Sequence, residues 1–320
     1  MVNSTIRKIL AITSTTGAVG AAGGLALAAW GWSELRKFQL HEYTVPLLEP
    51  GTLGIGKLGG GASGRKNDFR ILHISDLHMI PGQQTKIEWV SQLADTKPDL
   101  VINTGDNLSH LKAVPEVLRA LGPLLRVPGF FVFGTNDYFA PRPVNPFGYL
   151  LAKKRKVSKV ELPWQGMRAA FLEHGWLDAT HTRREIKVGP VKLAVTGVDD
   201  PHHDLDDYSR VAGPPNERAD LALALSHAPE PRVLDQFAAD GYHLTLCGHT
   251  HGGQLCLPGG RAIVTNCGID RERASGLHRW KNMYLHVSNG LGTSRFVPFR
   301  LFCRPSATLL HIVEKPAYPS

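Results

Sequence analysis

Short apolar runs recur along the chain, and each closes on a polar cluster containing glycine, asparagine, aspartate or histidine. Phe69–Ile74, Leu100–Asn103, Phe130–Phe133, Leu221–Leu225 and Leu244–Leu246 have the composition of buried strands. Thr85–Ala94 carries Ile87, Val90 and Leu93 at the spacing of one helical face, and Val114–Leu125 suits a second helix before Pro128. Val191–Val198, Ala262–Thr265, Tyr284–Val287 and Thr308–Val313 read as further strands. This alternation predicts an α/β domain over residues 67–315, with no internal repeat. Periodicity alone goes no further than that class.

The N-terminal pattern differs. Ile9–Trp32 holds no charged residue and lies between Arg7-Lys8 and Arg36-Lys37. As a helix it is long enough to cross a hydrocarbon core, and Trp30 and Trp32 suit an interfacial belt. Residues 9–32 are therefore expected to be a transmembrane anchor. Ala26-Leu27-Ala28 offers the competing reading of a cleaved signal peptide, but the apolar stretch is long for one and continues through Trp30-Gly31-Trp32. The short N-terminus with Arg7 and Lys8 favours an inside start, which puts a single-pass protein in the cell membrane with the α/β domain outside. Residues 33–66 read as a linker, with Pro46, Pro50 and the glycine-rich run from Gly51 to Gly64 as its tether. No Gly-Lys-Ser/Thr ends that run, so it is not a phosphate loop.

Charge narrows the partners. Thirty-six Lys and Arg against 28 Asp and Glu leave a net charge of +8, which favours phosphates, acidic lipids or nucleic acid. No aromatic-basic repeat or nucleic-acid module is present, which argues against the last. Cys247, Cys256, Cys267 and Cys303 lack C-x-x-C spacing. Buried free thiols are expected, in preference to a Cys247–Cys256 disulfide across neighbouring strands.

Chemistry concentrates at the strand ends. Asp76/His78, Gly105-Asp106-Asn107, Gly134-Thr135-Asn136-Asp137, Ser226-His227 and Gly248-His249-Thr250-His251 each close a strand-like run. Carboxyl ends of such strands form the ligand crevice of an open α/β sheet, so carboxylates and imidazoles placed there converge. Any one such residue is more often a helix cap or turn former. Five together supply the ligands of a two-metal site.

The clusters resemble those of the calcineurin-like metallophosphoesterases, which run D-x-H, G-D-x, G-N-H-D/E, a lone H and G-H-x-H in that order. Gly252-Gly253-Gln254 after the last cluster is similar to the subgroup containing bacterial membrane-associated phosphoesterases. The resemblance implies two packed mixed β-sheets flanked by helices, a four-layer sandwich with the site at one edge. It also implies that Asp76, His78, Asp106 and His251 hold one divalent metal, and that Asp106, His227, His249 and the residue replacing the usual Asn hold a second. Mixed imidazole and carboxylate ligands suit Mn, Fe or Zn. Asp106 would bridge, and the paired ions would share and acidify a water that attacks phosphorus.

One block departs from the family pattern. Literal alignment puts Thr135 at the metal-binding Asn and Asn136 at the His that assists the leaving group. Asn136 is the preferred ligand, because an amide oxygen is a better neutral donor than a hydroxyl. The missing imidazole leaves His110, or His202 and His203 after Asp199-Asp200, as replacement acids. Between the third and fourth clusters, residues 141–176 carry Lys153-Lys154-Arg155-Lys156 and Trp164. They read either as a solvated basic loop or as a cap on anionic lipid. The expected activity is hydrolysis of a phosphate ester or pyrophosphate, with a phosphorylated small molecule or lipid-linked phosphate as substrate. A nucleotide or nucleic-acid phosphodiesterase and a phospholipid-binding pseudoenzyme are the alternatives.

Overall fold

The computed structural model describes residues 27–54, 67–142, 158–293 and 296–316. Two six-stranded mixed sheets lie face to face. The first has the order β1-β12-β2-β3-β4-β5, formed by Gln39–Leu48, Ser306–Glu314, Phe69–Ile74, Leu100–Asn103, Gly129–Phe131 and Leu177–Asp178. The second has the order β10-β11-β9-β8-β7-β6, formed by Gly276–Trp280, Met283–Val287, Leu244–Cys247, Leu221–Leu225, Val191–Gly197 and Thr182–Val188. Helices α1 (Gln84–Gln92), α2 (Val114–Leu121) and α3 (Trp164–Glu173) contribute to the core outside the first sheet, and α4 (Pro231–Asp240) to the core outside the second.

The layers follow from strand alternation. In β2, Phe69 and Ile71 join the core between the sheets, while Leu72 and Ile74 face the helical core with Ile87, Val90 and Val117. In β8 the large Leu221, Leu223 and Leu225 fill the space between the sheets, and the small Ala222 and Ala224 meet Val233, Leu234 and Phe237 of α4. Both faces of the central strands are covered, which is why they read as continuous apolar runs. β2, β3 and β4 pair in parallel, as do β7, β8 and β9, so their carboxyl ends emerge together at one edge.

Four expectations need correction. The linker assigned to 33–66 is structured over its first part: Gln39–Leu48 is a strand that pairs in parallel with β12 and buries Val45, Leu47 and Leu48. Pro46 is tolerated because β1 is an edge strand. Ala262–Thr265 is not a strand; Ala262 makes only an isolated bridge to Cys256. The 141–176 excursion is no separate cap over its last part. Helix α3 is the outer layer of the domain, with Phe171 against Phe131 and Trp164 against Phe133. Finally, α1 and α2 end earlier than expected, each passing into a 3-10 turn, Leu93–Thr96 and Gly122–Arg126.

Most of the expected anchor, the glycine-rich run and the Lys153–Lys156 cluster lie outside the described residues. Residues 27–34 are helical, and no helix among the described residues is long and apolar enough to cross a membrane. All four cysteines are free thiols. Cys247 belongs to the core beneath α4, while Cys256 and Cys303 share a small cluster beside His251.

Candidate metal centre

The strand ends deliver the expected residues to one place. After β2 the chain passes through Asp76 and His78, whose N–H groups donate to the carbonyls of Gly105 and Asp106 in the neighbouring loop at 2.8 and 2.9 Å. Asp76, His78, Asp106, His249 and His251 all adopt positive φ, at 52°, 43°, 57°, 68° and 51°. Left-handed backbone at non-glycine residues is disfavoured and persists only where surroundings enforce it. Its concentration on these five residues marks a built site. Glycine is required where loops touch: a Cβ on Gly248 would land on Ser75 Oγ, and one on Gly134 on Asp106 Oδ1.

Two ligand groups result. Asp76, His78 and His251 can bring one donor atom each to a common point, as can Asp76, Asp106 and His227. Asp76 Oδ1 lies 4.0 Å from His78 Nε2 and 3.8 Å from His251 Nε2, while Asp106 Oδ2 lies 3.5 Å from His78 Nε2 and 3.4 Å from His227 Nε2. Asp106 thus stands between the groups. His249 meets His227 edge-on, with ring centroids 5.3 Å apart.

Outer contacts hold the rings. His227 Nδ1 donates to the Thr104 carbonyl at 2.7 Å, which leaves Nε2 as the free donor atom; His78 Nδ1 lies 3.0 Å from Ser109 Oγ. Asp76 Oδ2 accepts from Ser75 Oγ at 2.6 Å and from the His249 N–H at 3.0 Å. A metal fits what remains. Among the described residues, seven buried side-chain polar atoms lack a hydrogen-bond partner, and four of them are Asp76 Oδ1 and Nε2 of His78, His227 and His249. Buried polar atoms are normally satisfied. Here the orphans are atoms that could donate to a cation.

Protonation agrees. Burial pushes Asp76 up to about 6 and His78 down to about 4. Burial, reinforced by His202 and His227, holds His249 well below the usual imidazole value. His251 is held low by burial, His78 and the Arg300 guanidinium. Neutral imidazoles are the metal-binding form. His227 is the exception: burial alone would lower it, but the Asp106 carboxylate holds it well above its ordinary value.

The departing third block divides its labour. Thr135 turns away, giving its N–H and hydroxyl to Asp200 Oδ2 at 3.0 and 2.5 Å. The Asn136 side-chain amide reaches Asp106 Oδ2 at 2.6 Å, and its N–H donates to Asp106 Oδ1 at 2.8 Å. Asp137 accepts the N–H groups of Gly134, Asp106 and Asn107 at 3.0, 2.8 and 2.7 Å, tying the second cluster to the third. Burial and Asp106 push its carboxyl up to about 7, against three N–H groups that favour the charged form. Of the expected acids, His202 packs at a tilt on His249, centroids 4.2 Å apart, and meets His203 edge-on at 4.7 Å. His110 instead accepts the Lys112 N–H within its own turn at 3.0 Å.

Sequence reasoning missed Arg300. Fully buried, it donates to the carbonyls of His251, Asn289 and Gly292 at 3.2, 2.7 and 2.5 Å, tying the His251 turn and the 289–292 loop to its own. No local motif surrounds it, so only its lone place in the apolar run Phe296–Cys303 could have flagged it.

A family profile described as calcineurin-like phosphoesterase matches residues 69–253, more than half of the chain, and the chain belongs to that family. It is a metal-dependent hydrolase of phosphoester bonds. It is 28% identical over 260 residues to an uncharacterized metallophosphoesterase, YkoQ of Bacillus subtilis, covering 79% of this chain and 86% of that one. It is 27% identical over 259 residues to the phosphodiesterase YaeI of Escherichia coli, covering 77% and 82%. A transmembrane protein with metallophosphoesterase domain from Danio rerio is 25% identical over 268 residues, covering 78% of this chain and 54% of the relative.

Proposed function

We propose that the chain holds two divalent cations, Mn, Fe or Zn, and hydrolyses a phosphate ester or pyrophosphate on a membrane-linked substrate. The observation that carries the two-ion reading is the set of buried donor atoms without a hydrogen-bond partner on Asp76, His78, His227 and His249. Asp76, His78, Asp106 and His251 would hold one ion, and Asp106, His227, His249 and Asn136 the other. When bound, paired cations supply Lewis acidity and lower the pKa of water. Asp106 joins the two positions, Thr104 and Ser109 fix the rings, and Asn136 replaces the family's usual amide. His202 is better placed than His110 to hand a proton to the leaving group, because its ring lies on His249.

The membrane reading is supported by the uncharged stretch 9–32, by exposed Trp30 and Trp32 at its end, and by the relatives named as transmembrane proteins. The basic run Lys153–Lys156 would face anionic lipid, with the catalytic domain outside. A hydrolysis screen with added Mn, Fe or Zn across lipid phosphates, nucleotides and cyclic diesters tests the proposal. The expected result is preference for lipid phosphates by the full-length, membrane-pelleted protein. Preference for free nucleotides would assign the nucleotide alternative, and metal binding without turnover of any ester would assign the pseudoenzyme.

A further inference from the structure

A cavity of about 470 Å³ begins at the metal-centre residue His78 and extends to the chain segment between the N-terminal helical turns and β1. Its size falls in the usual range for small-molecule sites, roughly 300–1,000 Å³. Near His78 it is polar, bordered by Ser109 and by the buried Lys86, whose Nζ donates to the Leu77 carbonyl at 2.8 Å. The N-terminal segment contributes an apolar wall of Trp32, Leu35 and Phe38, and Leu291 and Pro298 also line the cavity. Arg36 sits over the Trp32 ring, 5.2 Å from its centroid.

That apolar wall is fastened to the domain. Glu34 is 3% exposed and accepts from Arg304 Nε at 2.8 Å and Lys37 Nζ at 2.9 Å. Trp30 meets Phe302 edge-on at 4.8 Å, and the Gly31 carbonyl accepts the Arg300 N–H at 3.0 Å. A Cβ on Gly31 would approach the Arg300 carbonyl to 3.0 Å, so the close fit suits glycine. The segment with the apolar wall is thus held by the loop whose Arg300 supports His251.

Resting on the reading of a membrane-linked phosphate substrate, we propose that this cavity is the subsite for its hydrocarbon chain. The phosphate would lie at the His78 end, and an alkyl, acyl or prenyl chain would run along Leu35 and Phe38 towards Trp32. A site polar at one end and apolar at the other matches a phosphorylated amphiphile. Its apolar wall directly follows the stretch expected to lie in the membrane, so a chain leaving the bilayer would enter there. Arg36 at the mouth suits the anionic headgroup level.

The test uses full-length metal-loaded protein in a steroid-based detergent, which has no alkyl chain of its own, and non-hydrolysable alkylphosphonates of two to twelve carbons. Affinity is expected to rise about fourfold per methylene while the chain is being buried. A twelve-carbon phosphonate brominated at its terminus should quench tryptophan fluorescence, and Trp32→Phe should remove that component. Leu35→Glu should lower the affinity ratio of twelve-carbon to two-carbon ligand at least about tenfold, a loss of roughly two methylenes' worth of burial. Equal affinity at all chain lengths, or quenching that persists in Trp32→Phe, would overturn the subsite. Failure of the two proposals is distinguishable: short esters hydrolysed without chain-length dependence remove the subsite alone. Chain-dependent phosphonate binding without ester hydrolysis supports the subsite and removes the enzymatic reading.

Discussion

The two halves of the candidate metal centre are built differently. Around Asp76, His78 and His251, contacts come from scattered parts of the chain: Ser75, Ser109, the Gly105 and Asp106 carbonyls, and Arg300 from the far C-terminal region. In the half with Asp106, His227 and His249, one carboxylate, Asp137, grips the second and third clusters together, while His227 rests on the Thr104 carbonyl and the His249 N–H on Asp76. The family's side-chain pattern is altered in the second half, at Thr135 and Asn136, while Asp137 remains at the family's acidic position. A turn held through backbone N–H groups constrains where ligands stand more than which ligands they are.

The largest effect should come from the residue common to both halves. Asp106→Asn is expected to reduce hydrolysis by on the order of 10³-fold by weakening both ion positions and the charge they supply. Metal analysis should show stoichiometry falling while the circular dichroism of the fold persists; full activity at unchanged stoichiometry would refute a shared ligand.

Next come the two histidines that divide between the halves. His249→Ala and His251→Ala should each lower activity by about 10²-fold, and anomalous diffraction should find a different ion depleted in each. Loss of the same ion from both would merge the halves into one.

The third block sharpens the comparison further. Asn136→Ala should weaken the second ion by about 10- to 100-fold. Thr135→Val should leave metal affinity nearly intact and cost about 1–2 kcal/mol of stability, because Asp200 loses a buried hydroxyl partner. Isothermal titration and thermal melts on both variants separate the effects. Emptying of the site by Thr135→Val alone would restore the literal alignment.

The mildest perturbation is pH. Metal needs Asp76 charged and the imidazoles neutral. Asp76 is raised to about 6 and His227 well above its ordinary value, so binding expels a proton from His227 near neutrality and a second from Asp76 below pH 6. Affinity should therefore rise with pH, about tenfold per unit near pH 7 and more steeply below 6. The sign for the metal-free fold is mixed. Asp76, raised, withdraws stability as pH climbs from its ordinary 3.8 towards 6, whereas His78, depressed to about 4, adds stability between about 4 and 6.5. A pH-independent affinity would show that these groups are not the ligands.

Much of this was readable in the chain. β2, β3 and β8 have the bounds that their apolar runs predict, because strands covered on both faces leave an unbroken signal. The Asp and His residues that gather at the candidate site were legible because each ends such a run. β1 was not: Glu42 is exposed, and Pro46 breaks the pattern of a strand buried only towards its end. Asp200, Arg300 and Ser109 act through partners distant in sequence, or on rings that other loops deliver, and nothing local announces them. Ala262–Thr265 looked like a strand because Val264 is apolar, yet Val264 packs against a satellite cluster with Leu255 and Val297 rather than in a sheet.

The order of the first sheet carries one more consequence. β12, the last strand, lies between β1 and β2, pairing Gln39 with Ser306 on one side and Ile71 with Leu310 on the other. During synthesis β1 and β2 leave the ribosome with a gap between them that only β12 can fill. Until residues 306–314 emerge, the facing edges of β1 and β2 have no ladder partner, and such open edges invite pairing with other chains. Nascent protein stalled or truncated before Ser306 should therefore depend on a holding chaperone, however complete its metal ligands already are.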